Sequence, residues 1–206
     1  FEHYDVHELL FNDTYFLEFT KLPIIINRNL INNYAIYEFL SQQIFLFPLI
    51  LDPVGLFCSC FRMKNKDGKW SIEIGHLDSK SKELVEEACE KGRKLIIKDF
   101  DTELLALILP ILVWRKEKVM KKIMDIVYLN NIQNFENDEI EDHNQLNLNG
   151  KNIKMHPEFQ LILVITDSTK FLSQSLLENV VVINNDLGDN EIWKETLLNL
   201  IVKKCS

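Results

Sequence analysis

The sequence predicts an α/β fold: a five-stranded, mostly parallel sheet with helices on both faces. Two observations carry this. Short, nearly all-apolar runs at 44–51, 94–98, 159–166 and 179–183, with an alternating run at 70–75, are the length of strands, and the all-apolar ones suit a sheet covered on both sides. Stretches of helical periodicity separate them, and a strand–helix rhythm builds parallel sheets through right-handed crossovers. The 206 residues, 47% apolar and 26% charged, suffice for one domain with a real core, with or without extensions.

In chain order, residues 3–19 place Val6, Leu9, Leu10, Phe16, Leu17 and Phe19 at helical spacing, and Leu22-Pro23 breaks the pattern. A second helix is predicted over 28–42, on Leu30, Ile31, Tyr34, Ile36, Tyr37 and Leu40. The strand at 44–51 carries Pro48, which fits only near its start or at a bulge. A helix follows from 53 to about 63, with Pro53 in its first turn. After a turn at Asn65-Lys66-Asp67-Gly68 and the 70–75 strand comes a helix at 79–91. Its inner face is Leu84, Val85, Ala88 and Cys89, and Gly92 ends it. Beyond the 94–98 strand, an apolar helix at 104–114 is expected to kink or end at Pro110.

Residues 115–150 read as a surface insertion: a basic amphipathic stretch, then a solvated loop with five carboxylates between Glu136 and Asp142. A small hairpin is predicted over 148–153 on Asn149-Gly150. The 159–166 strand, a helix at 170–177, the 179–183 strand and a closing helix at 189–204 complete the chain. The expected organisation is a helical lead-in at 1–43 and an α/β core at 44–206 with an insertion at about 115–150.

A net charge of -8 argues against nucleic acid or anionic membrane as partners of the whole surface. No apolar run reaches the ~18 residues of a membrane span. Cys58 and Cys60 are too close for a zinc pair and have no second pair; they and Cys89 read as buried thiols. The first residue is not Met and no charged stretch precedes an apolar one, so a segment of a longer chain is expected.

In parallel sheets ligands sit at the carboxyl ends of strands, so the loops after Leu51, Gly75, Lys98 and Thr166 are the places to search. A phosphate loop of the form G-x-x-x-x-G-K-[ST] uses backbone N–H groups, a lysine and a hydroxyl. The first of these loops reads Asp52-Pro53-Val54-Gly55-Leu56-Phe57-Cys58-Ser59. Pro53 has no N–H, Asp52 repels phosphate, and Leu56, Phe57 and Cys58 stand where small, cationic or hydroxyl groups are needed. The turn is therefore expected to be packed, its apolar residues filling the space of a nucleotide. At the end of the third strand, Lys98-Asp99 stands where a hydrolase needs Asp-Glu for magnesium and water. Asp99 is expected to cap the next helix. Thr166 lies where a polar sensor residue belongs, and no arginine follows Arg115 to act as a finger on a neighbour. His76-Leu77-Asp78 and His156-Pro157-Glu158 read as cap or turn residues, and Ser59 has no triad around it. Catalytic and metal-binding residues are expected to be absent.

The order of these pieces resembles the fifth AAA+ module of dynein heavy chains over nearly the whole chain. In that module a Leu-Pro pair precedes a helix and a strand of the form Trp-Pro-Leu-x-Ile-Asp-Pro-x-Gly. Here stand Leu22-Pro23 and Phe47-Pro48-Leu49-Ile50-Leu51-Asp52-Pro53-Val54-Gly55. The next strand matches Ser71-Ile72-Glu73-Ile74, and the following helix matches 82–91. The family's Gly-Lys-Pro-x-Leu-Leu corresponds to Gly92-Arg93-Lys94-Leu95-Ile96-Ile97, and a proline about a dozen residues on to Pro110. The hairpin and the Asn-Pro-x-Phe-Arg-Leu strand correspond to Asn149-Gly150-Lys151 and His156-Pro157-Glu158-Phe159-Gln160-Leu161. Departures are Phe47 for Trp, Lys98-Asp99 for Glu-Asn, Val164-Ile165-Thr166 for two threonines and a lysine, and a longer loop before residue 147.

The resemblance implies a P-loop NTPase-like AAA+ large subdomain that has lost hydrolysis. Such a module is a rigid ring segment relaying conformational change in ATP-driven, microtubule-based movement. Its vestigial nucleotide pocket would comprise Asp52, Pro53, Val54, Gly55, Leu56, Phe57, Cys58, Lys98, Asp99 and Thr166. No cofactor is expected on this segment; ATP and magnesium belong to other modules of the parent. The implied partners are the neighbouring AAA+ modules of the same chain and the stalk buttress just beyond Lys204. Microtubules would be reached only through the parent's stalk. The implied location is the cytoplasm or cytoskeleton, and the divergence of the chain from the family pattern favours a cilium or flagellum axoneme over the cytoplasmic class. Two alternatives are a module that still binds ATP and a protein-interaction module using 115–150.

Overall fold

The computed structural model describes residues 28–41, 45–64, 71–76, 78–129, 145–148, 150–167 and 172–185. The helices expected at 3–19 and 189–204, the Leu22-Pro23 break, the 65–68 turn and the acidic 136–142 stretch lie outside the described residues.

Arg28–Leu40 forms α1, Phe47–Leu51 β1, Leu56–Lys64 α2, Ser71–Ile74 β2, Ser79–Lys91 α3, Lys94–Lys98 β3 and Thr102–Leu129 α4. Gln145–Leu148 and Lys151–Lys154 form β4 and β5, an antiparallel hairpin, and Gln160–Ile165, Gln174–Leu177 and Val180–Asn184 form β6, α5 and β7. The main sheet has the order β2-β3-β6-β1-β7, and every pairing in it is parallel. Pro48 sits where β1 pairs with β7 but before its register with β6 begins at Leu49, so the proline breaks little of the ladder.

Successive strand residues serve opposite faces. Leu95, Ile97, Leu161, Leu163 and Ile165 pack on one side with Val85, Ala88 and Cys89 of α3 and with Leu104, Ile108, Ile111 and Leu112 of α4. Ile50, Ile96, Ile162 and Val164 pack on the other with Leu30, Tyr34 and Tyr37 of α1 and Phe57 and Phe61 of α2. The expected lead-in therefore contributes, through α1, directly to the core of the sheet. The hairpin turn has Gly150 at φ 84, and Leu148 and Ile153 close the edge of the α3/α4 side. Lys151 Nζ meets Glu86 at 2.8 Å and Glu90 at 3.6 Å on α3. Asp78 caps α3 reciprocally with Ser81, as a cap residue should.

Two expectations are corrected. α2 starts at Leu56, not Pro53: Gly55 N–H donates to the Asp52 carbonyl at 3.0 Å, so Pro53 is the second residue of a β-turn rather than the first turn of a helix. α4 neither ends at Pro110 nor stops at 114, but runs from 102 to 129 and takes in the basic part of the expected insertion. An interior proline removes one helical hydrogen bond. Here Leu104, Leu107, Ile108, Ile111 and Leu112 bury the turns on both sides of it, and packing overrides the local break.

Candidate functional site

β1 and β6 are neighbours, yet the helices that follow them pack on opposite faces: α2 with the α1 side, α5 through Leu176 with the α3/α4 side. In α/β sheets a divergence of this kind marks the carboxyl ends of the strands as the place where ligands bind. β3 flanks β6 on the other side, so the loops after Leu51, Lys98 and Ile165 lie side by side. Backbone bonds knit them together: Asp52 N–H to Ile165 O at 2.8 Å, Asp99 N–H to Val164 O at 2.9 Å and Asn185 N–H to Leu51 O at 2.8 Å.

The first loop turns through Pro53 and Val54 to Gly55, whose φ is 73. A Cβ there would meet nothing within 4 Å, so glycine is required for its backbone angle and not for space. Ser59 returns N–H and Oγ to the Gly55 carbonyl at 3.1 and 2.8 Å, closing the first turn of α2. The first N–H groups of a helix have no partner within it and attract an anion. Asp52 supplies that anion. Its carboxylate is fully buried and accepts the Phe57 and Cys58 N–H groups, both at 3.1 Å, and the Asn185 side-chain amide at 2.9 Å.

This corrects the expectation that apolar side chains fill the place of a nucleotide. Phe57 packs instead into the core, 5.4 Å from Tyr34 and 5.5 Å from Tyr37 between ring centroids. Leu56 and Val54 are half-buried. The group at the helix N-terminus is a charged oxygen pair belonging to the chain itself. Beside α2 lies a void of about 10 Å³, lined by Phe57, Cys58, Phe61 and Val164 among others, with room for about one water.

Asp99 and Thr166 are brought together. Asp99 has φ 49, left-handed for a residue with a side chain. Its two carboxylate oxygens accept the Thr166 N–H and Oγ1–H, each at 2.7 Å. Asp99 therefore does not cap α4 as expected. Asp101 does, accepting the Leu104 N–H at 2.7 Å. Both lie within three residues of the helix start, and only the backbone turn at Asp99 decides which one faces it. Lys98 is half-buried on the strand face that carries Ile96, towards α2. Arg115 is buried at the opposite end of β1, donating from Nε to Phe45 O at 2.9 Å and lying 5.0 Å over the Phe47 ring, so it is a packing residue. Of the two His-containing triplets, Asp78 is a helix cap and His156 a turn residue accepting the Glu158 N–H at its Nδ1.

Burial, then the Asp52 carboxylate beside it, pushes the Cys58 thiol from the ordinary 9.0 up to about 12, with Lys98 and Arg62 pulling weakly the other way. Burial, then Glu90 and Glu86, does the same to Cys89. At pH 8 neither thiol should react with iodoacetamide in the folded chain, and both should react after denaturation; labelling read by mass spectrometry checks this. These groups favour folding while protonated. Their contribution is complete below the unfolded value near 9.0 and declines as pH rises towards about 12, by up to about 1.4 kcal/mol per pH unit for each thiol.

Sequence reasoning missed Asn185 and Asn33. Asn185 follows β7, and its only signal in the sequence is a polar pair, Asn184-Asn185, after an apolar strand. Among the described residues no three His, Cys, Asp or Glu side chains gather to hold a metal, and no helix is long and apolar enough to cross a membrane. The chain matches no protein-family model and no curated protein.

Proposed function

We propose that this chain is a non-hydrolysing AAA+ large subdomain, the fifth module of a dynein heavy-chain ring, and that it relays conformational change without turning over nucleotide. The observation that carries the loss of nucleotide is the Asp52 carboxylate, held by two α2 N–H groups and Asn185 where a phosphate would have to bind. A nucleotide would have to displace a buried anion from all three donors. The strand order adds support. The loops in the phosphate, Asp-Glu and sensor positions fall on β1, β3 and the β6 between them, as one pocket requires. The third support is the ordered set of motifs from Leu22-Pro23 to Leu161.

On this reading the partners are the adjoining modules of the same chain, and the ATP and magnesium that drive movement are bound elsewhere in it. The place of action is the microtubule cytoskeleton of a cilium or flagellum. Titrating the chain with a fluorescent ATP analogue and magnesium should give no saturable binding up to millimolar concentration. Micromolar binding with phosphate release would overturn the proposal. Neither Pro53→Gly nor Leu56→Lys should create turnover, because Asp99 is engaged with Thr166 and has no glutamate beside it.

A further inference from the structure

The Asn185 side chain uses both ends of its amide. Nδ2 donates to Asp52 at 2.9 Å, and Oδ1 accepts from Asn33 Nδ2 on α1 at 3.2 Å; the same Asn33 nitrogen also reaches the Asn184 carbonyl at 2.9 Å. The partners fix this orientation. A carboxylate can only accept, so the nitrogen of Asn185 must face it, and its oxygen is then left facing α1. Turning the amide over would set oxygen against carboxylate and nitrogen against nitrogen. Asn185 is 1% exposed, so water offers little substitute.

We propose that Asp52 is the hub of a polar tie that joins three separate elements into one rigid body: the start of α2, the end of β7 and, through Asn185 and Asn33, the helix α1. The charge at position 52 orients Asn185, and Asn185 orients Asn33. The elements joined are 133 and 152 residues apart along the chain at their extremes, so the tie closes the domain between its early helix and its last described strand. If the ring-module reading holds, motion entering through α1 reaches β7 undiminished, with a built-in anion doing permanently what a bound phosphate would do intermittently.

Hydrogen exchange on the whole chain tests this. In Asp52→Asn, amide protection should fall about tenfold or more together in 30–40, 56–61 and 180–185, with 79–91 unchanged. Loss confined to 56–61 would make Asp52 a local helix cap and overturn the tie. Asn33→Ala leaves the carboxylate's own donors in place and serves if Asp52→Asn does not fold. It should raise exchange at 180–185 and at the Phe57 and Cys58 amides, and a change confined to α1 would overturn the proposal equally. Nucleotide binding by the unaltered chain would refute the ring-module reading and leave the exchange pattern as it stands.

Discussion

Asp52→Ala is expected to lower unfolding free energy by about 3–5 kcal/mol, because it leaves three buried neutral donors without their charged acceptor at about 1–3 kcal/mol each. The loss has two parts. The Phe57 and Cys58 N–H groups return to the unpaired state of any helix N-terminus, now in a site closed to solvent. The Asn185 amide loses its acceptor as well. Asp52→Asn keeps one oxygen for one N–H and should cost about 1–3 kcal/mol. Urea unfolding at constant m-value gives the difference directly. A loss below about 1 kcal/mol for the alanine variant would mean that the carboxylate does little for α2.

Gly92→Ala should be nearly as damaging, about 2–4 kcal/mol, for a different reason. Gly92 ends α3 at φ 70, where a side chain strains the backbone by about 1–2 kcal/mol. A Cβ there would also stand 2.2 Å from His156 Nδ1 and 2.8 Å from its Cγ and Cε1. The His156 ring is held there by its Nδ1, which accepts the Glu158 N–H at 3.1 Å, and its backbone is fixed by the N–H bonded to Cys89 O at 2.8 Å. Gly55→Ala is the control. Its φ is 73, but a Cβ there meets nothing within 4 Å, so it should cost only the backbone strain. Thermal unfolding of both variants separates strain from collision. Equal shifts would show that His156 moves freely.

The parts of the fold legible in the sequence are those where local chemistry and packing agree. The 94–98 strand and the 79–91 helix were read with the bounds the structure has, the latter because Gly92 is an unambiguous stop. Pro53 misled because proline suits both a helix's first turn and the second position of a β-turn. Pro110 misled because the local preference to break a helix is smaller than the burial on either side of it. The site was legible in location only. The loops after Leu51, Lys98 and Thr166 do gather at one end of the sheet, yet the role of Asp52 was not visible. A carboxylate in a phosphate loop reads as repulsion, and its partner Asn185 lies 133 residues away, so no local pattern joins them.

α4 has 28 residues, about 42 Å of helix, beside sheet strands of four to six residues, each under about 20 Å. Among the positions of α4 whose burial is described, the last buried one is Val119, and residues 120–125 are exposed. The helix is thus anchored from Thr102 to Val119, about two-thirds of its length, and turns to solvent beyond that point. Such an element acts as a pointer. A sheet rotation of about 6° swings its far end by about 2–3 Å, turning a small tilt of the core into a displacement that a neighbouring surface can register.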